Sequence, residues 1–292
     1  MAAAIPGFKS FPHSFDGRGH RVYTKGEGAA IIFIHELPHI SAAVVKVADA
    51  FVSAGFRVYL PSLLGEPFGK SLWYESAKTL ADLCVSSEFK ALFGHGEAHL
   101  TDWLRNLVRT VAPGSADKVG IIGLCFGGGF ALGAATEPVV RAAVACEPSL
   151  PLLNKHDSGV DGIEDLPDRL RGGDLAIRLF RFQDDPVSPC ERVGNVTAAL
   201  AVPGVIGAFE SRCLDKHSAN PSYTKYPSPH SVITNHLVDE VGQPTQQVLD
   251  HIIAFFDWRL RDGDMPDLEI GKAADCSRFG CAKGHWKKPG LK

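Results

Sequence analysis

The chain has 292 residues, 45% hydrophobic and 22% charged, a balance that excludes pervasive disorder, a collagen-like repeat and a disulfide-dense small module. Thirty Lys and Arg against thirty-three Asp and Glu leave a formal charge of −3, and no basic stripe of the kind nucleic-acid binders carry precedes the last thirty residues. Apolar runs such as Ala29–Ile34 fall far short of the roughly 20 residues a membrane helix needs. The start, Met1–Phe8, lacks the charged and apolar regions of a signal peptide. Seven cysteines without framework spacing favour free thiols and a reducing, cytoplasmic setting.

In chain order, His20–Tyr23 and Ala30–His35 read as strands, the second almost continuously apolar as a strand buried on both faces should be. Ile40, Val44, Val47, Ala48 and Phe51 fall at helical spacing, and Gly55 supplies the stop. Phe56–Leu60 follows as strand and Pro61–Gly69 as loop. From Leu72 to Val111 the pattern is mostly helical. Lys118–Ile122, Arg141–Cys146, Ala176–Phe182 and Val205–Arg212 read as further strands, with helices over Phe126–Thr136 and Glu191–Leu200. Pro244 opens a last long helix and Gly263 closes it.

This alternation predicts an α/β fold, a mostly parallel central sheet with helices on both faces. One domain is expected over residues 1–263, and residues 264–292 read as an extension with little regular structure. Cys276, Cys281 and His285 in that extension are too few ligands for a closed zinc site, so no metal is expected there.

Gly123-Leu124-Cys125-Phe126-Gly127-Gly128 lies directly after a strand and directly before a helix. That is the setting of a nucleophile elbow, where a sharp turn crowds the backbone and demands nearly bare flanking positions. Cys125 would stand above the carboxyl end of the sheet, with the first amides of the following helix aimed at it. The bland alternative is a Gly-rich turn around a buried cysteine.

An elbow nucleophile calls for an acid and then a histidine later in the chain. Ala176–Phe182 runs straight into Gln183-Asp184-Asp185-Pro186, which places two carboxylates at a strand end. Asp185 is preferred, because Pro189 four residues on resembles a familiar acid-loop pattern, and Asp184 stays a rival. His230 sits in the proline-bounded loop Tyr226–Ser231 before the last helix, where a general base must sit, with His236 as competitor.

Strand, Gly-x-Cys-x-Gly-Gly, acid and late histidine together resemble the dienelactone hydrolase family of α/β-hydrolases. His35-Glu36-Leu37 looks like that family's Glu-bearing loop, and Gly55–Pro61 is similar to its third strand. The resemblance implies an α/β-hydrolase fold and roles position by position. Cys125 would be the nucleophile, His230 the general base and then acid, and Asp185 the orienter of the imidazole. Glu36 would be tied to the resting cysteine, and the amides of Leu37 and Phe126 would form the oxyanion hole. From the residues alone, Glu36 is either a partly buried carboxylate with a raised pKa or a surface loop charge.

Four residues after the histidine, where family members acting on anionic dienelactones typically carry arginine, this chain has Thr234. A carboxylate clamp needs arginine geometry, so a neutral ester or lactone is the expected substrate. Trp73, Tyr74 and Phe93 would line its pocket, unless they are ordinary core aromatics. The expectation is a hydrolase working through a thioacyl-enzyme, with no cofactor, a small-molecule substrate and no nucleic-acid or membrane partner. The alternatives are a thioesterase or activated-phosphoester hydrolase on the same residues, or a non-catalytic binding or redox-sensing protein on this fold.

Overall fold

The structure, a computed structural model, describes residues 4–64, 66–69, 97–114, 116–149, 160, 162–224, 228–267 and 270. Trp73, Tyr74, Phe93, Cys276, Cys281 and His285 lie outside the described residues.

Eight strands form one sheet: β1 (Lys9–Phe15), β2 (Arg18–Lys25), β3 (Ala30–Ile34), β4 (Arg57–Ser62), β5 (Val119–Leu124), β6 (Val140–Cys146), β7 (Ala176–Phe182) and β8 (Phe209–Leu214). Their order is β1-β2-β4-β3-β5-β6-β7-β8. The β1–β2 and β2–β4 pairings are antiparallel and the rest parallel. Parallel strands need crossover connections, and these carry α1 (Ala42–Ser53), α2 (Glu97–Val111), α3 (Phe126–Ala134), α4 (Leu166–Arg171) and α5 (Cys190–Leu200). The last helix is α6 (Pro244–Arg261).

Helices cover both faces because both faces of the central strands are apolar. On β5 every residue is buried: Val119 and Ile121 join the core under α2 and α3, Ile122 and Leu124 the core under α1 and α6. Gly120 is bare because Phe256 of α6 packs there; a Cβ would come within 2.7 Å of its ring. Ser41 caps α1, its hydroxyl accepting from the Val44 amide, and the helix buries Val44, Val47, Ala48 and Phe51.

Three expectations need correction. β1 lies outside every predicted strand; it pairs with β2 across Asp16-Gly17, whose φ values of 50° and 74° build the tight turn that antiparallel neighbours need. The last strand starts at Phe209, not Val205, since Gly204 and Gly207 hold left-handed φ and break an extended run. Cys190 and Cys213 are disulfide-bonded, against the expectation of free thiols, whereas Cys125 and Cys146 are free.

Beyond α6 the chain does not simply leave the domain. His251 Nδ1 donates to the Asp267 carbonyl at 3.2 Å, and Ile270 is buried in the core under α6. No helix among the described residues is long and apolar enough to cross a membrane.

The tightest packing is at the end of β5, where a Cβ on Gly123 would stand 2.0 Å from the Gly127 carbonyl oxygen. Backbone cannot yield there as a side-chain tip could. Gly123→Ala should therefore cost about 4 kcal/mol or more. Thermal unfolding should show a midpoint lowered by roughly 10 °C; an unchanged midpoint would mean that the turn has slack.

Candidate active site

The carboxyl edge of the sheet collects the chemistry. Cys125 turns the chain from β5 into α3 at φ 54°, ψ −121°, a conformation side chains rarely adopt. Bare neighbours make the turn possible: a Cβ on Gly127 would reach 2.8 Å from Ile34 Cγ2, and one on Gly128 would reach 2.8 Å from Pro148 Cβ. The Cys125 amide donates to the Cys146 carbonyl, and the Cys125 carbonyl accepts from the Gly128 and Ser149 amides, all at 3.0 Å. Its thiol lies 3.5 Å from Ser149 Oγ.

Strand β7 delivers the acid. Asp184 takes a left-handed φ of 58° and pairs outward with Lys216 at 2.9 Å. Asp185 is thereby turned inward and buried. Its Oδ1 accepts from the Val187 and Ser188 amides at 2.9 and 3.2 Å, and its Oδ2 lies 2.7 Å from His230 Nδ1. Backbone and acid together fix the imidazole, and Cys125 is close enough to act on its charge. Burial works against charge on His230, but Asp185 and then Cys125 lift its pKa well above 6.5.

His236 does a different job. Its Nδ1 accepts from the His230 and Ser231 amides at 3.4 and 3.2 Å, and burial lowers its pKa to about 4. It shapes the histidine loop as a neutral acceptor. His35 is similar on the other side: its Nδ1 donates to the Glu36 carbonyl at 2.7 Å while its Nε2 accepts from the Leu63 amide. The ring, its pKa pushed by burial to about 4, ties β3's end to β4's.

Glu36 is buried, which raises its pKa, but it is not bound to the cysteine. Ser231 Oγ and Thr234 Oγ1 each donate to its carboxylate at 2.6 Å, and Asn235 Nδ2 donates at 3.2 Å. The expected tie to Cys125 is replaced by three neutral donors from the histidine loop. Thr234 stands where the resemblance has a cation, and its hydroxyl is occupied by Glu36.

Leu37 and Phe126 are both buried beside the elbow. Phe126 begins α3, so its amide is among those a helix leaves outside its own ladder. Its ring packs edge-on against His35 at 5.8 Å, which keeps the loop bearing Leu37 against the helix start. Sequence reasoning missed Ser149, Ser231, Asn235 and Glu147, all drawn in by contacts distant in the chain.

The Asp185–His230 pair has a pH signature. A histidine raised in the folded state contributes stability that is complete below its unfolded value of 6.5 and is lost as pH rises through the folded value. Asp185→Asn should thus destabilise most at about pH 6 and least at about pH 9. Thermal unfolding at both would show it; an equal deficit at each would mean the ring is not held charged.

The dienelactone hydrolase family model matches residues 19–160. A search of curated proteins finds no match. Among solved structures, the chain is similar to a dienelactone hydrolase-like promiscuous phosphotriesterase from metagenomic libraries, at 13% identity and TM-score 0.56 over 86% of this chain and 98% of that one. It is also similar to a cold-adapted esterase from an Arctic intertidal metagenomic library, at 15% identity and TM-score 0.54 over 89% and 97%. A thermostable carboxyl esterase from Bacillus coagulans matches at 13% and 0.52 over 88% and 100%. At such identities the shared property is the α/β-hydrolase fold. The matched stretch 19–160 holds Glu36 and Cys125, so over that part of its length the chain resembles the dienelactone hydrolase family.

Proposed function

We propose that this protein hydrolyses a neutral carboxylic ester or lactone through a thioacyl intermediate on Cys125. Ester hydrolysis as a class is supported by the family match over residues 19–160; the triad and the substrate are our reading of the site. The observation that carries it is the 2.7 Å contact between His230 Nδ1 and Asp185, on a ring whose charge the elbow cysteine also favours.

In this mechanism the Cys125 proton already rests on His230 Nε2, and the Sγ thiolate attacks the carbonyl carbon. The oxyanion that forms is held by the Leu37 and Phe126 amides. Its collapse breaks the acyl–oxygen bond, and the leaving oxygen takes the proton from His230. Water, deprotonated by the same nitrogen, then attacks the thioester and releases the acid and the free thiol. Asp185 keeps Nδ1 protonated throughout and balances the imidazolium.

The neutral-substrate reading is supported by charge. The position that could clamp a carboxylate is Thr234, already bonded to Glu36, and the buried Glu36 carboxylate lies on the same edge of the sheet. A buried carboxylate opposes an incoming anion more strongly than an exposed one would.

Turnover of neutral and carboxylate-bearing esters and lactones, with a thioester and a phosphotriester alongside, tests both parts. Cys125→Ala should lose at least about a thousandfold in rate, and anionic substrates should run at least about tenfold slower than neutral ones. A variant with full activity would sink the cysteine mechanism; a preference for anions would sink the substrate reading.

A further inference from the structure

Strands β3, β5 and β6 are neighbours in the sheet, so their carboxyl ends set Glu36, Cys125 and Glu147 side by side. Glu147 has no part in the mechanism above. It is fully buried and takes a left-handed φ of 39°, with its amide donating to the Phe180 carbonyl at 2.6 Å. A bulky residue held in that conformation is over-determined by its surroundings.

The two glutamates grip the same loop by different means. Glu36 takes the side chains of Ser231, Thr234 and Asn235. Glu147 takes backbone: the Val232 amide donates to its Oε2 at 3.0 Å. Its Oε1 is buried and meets no hydrogen-bond partner among the described residues. A carboxylate buried with one oxygen unsatisfied is costly, and a second anion near Glu36 adds repulsion. Three donors suit Glu36 to be charged; a single donor suits Glu147 to be neutral.

We propose that Glu147 is a positioning residue for the Cys125–His230 pair: its carboxyl anchors the histidine loop at Val232 while, as an uncharged acid, leaving Glu36 the charged member of the two. The groups acting on it pull both ways, and burial is the largest influence. Burial pushes its pKa well above 4.5; His230 opposes this, Glu36 adds to it, the Val232 bond opposes it and Cys125 adds to it. The remaining titratable neighbours are the Cys146 thiol, itself pushed up by burial and by both glutamates, and Asp185 behind His230. Raising the pH until Glu147 ionises would put a second anion beside Glu36 and the nucleophile, and force the loop away from it.

The inference rests on the proposed cysteine–histidine chemistry, so one readout needs no substrate: alkylation of Cys125 by iodoacetamide near neutral pH, with Cys125→Ala as blank. Glu147→Gln keeps a neutral acceptor for the Val232 amide and should stay within about threefold of wild type, whereas Glu147→Leu should fall about tenfold or more. In ester turnover, wild type should lose kcat/KM at alkaline pH, and Glu147→Gln should lack that fall. Gln and Leu variants that are equally impaired, or a Leu variant that alkylates normally, would overturn the positioning role. An alkaline limb identical in wild type and Glu147→Gln would overturn the uncharged acid. Normal alkylation without turnover of any ester would instead strike at the proposed substrate class and leave Glu147 to the alkylation result.

Discussion

At the end of β5 the Gly127 carbonyl occupies the space in which a Gly123 side chain would begin, and the rest of the site hangs on that contact. Without it the strand could not reverse into α3 within one residue. Cys125 would then relax out of its strained conformation, and the Phe126 amide would no longer face the same point as the thiol. The contact is between backbone atoms, so its geometry survives repacking of side chains around it. Neighbouring segments inherit the precision: the Ser149 amide docks on the Cys125 carbonyl, and the Ser188 hydroxyl donates to the Pro148 carbonyl at 3.0 Å. Elbow, post-β6 segment and acid loop are in this way one hydrogen-bonded unit.

Three buried carboxyls share this edge, and each is stabilised differently. Asp185 has two backbone amides and a histidine; Glu36 has three side-chain donors; Glu147 has one backbone amide. Removing a carboxylate from water is tolerable only when its lone pairs are met. The histidine loop meets most of them, from Asp185 at residue 230 to Glu36 at residue 235. That loop has little apolar surface of its own beyond Val232 and Ile233, both buried. Its position is therefore set largely by polar contacts, and the placement of His230 is inseparable from the charge state of the acids around it.

Local chemistry was readable in the chain, and distant chemistry was not. Gly123, Gly127 and Gly128 announce the elbow because crowding at a tight turn acts over five residues. Asp16-Gly17 announces a hairpin by the same kind of local argument, although the polar alternation of β1 hid the strand that it closes. Asp184 and Asp185 are equivalent by spacing, and the distinction arises from a single left-handed φ at Asp184. His236 and His230 are likewise separated by which amides and acids surround them. The partners of Glu36 lie almost two hundred residues away, and no periodicity links them.

Thr234 draws these strands together. A cation at that position could neutralise Glu36 directly and still offer a second face to an anionic substrate. A threonine hydroxyl is consumed by the one bond, so the loop must supply further donors, and Ser231 and Asn235 do so. Glu36 then has both oxygens engaged in short contacts away from the thiol. Swinging it toward Cys125 would break two bonds of 2.6 Å at a buried carboxylate, where lost bonds are costly. In this chain Glu36 consequently fastens the histidine loop through Ser231, Thr234 and Asn235.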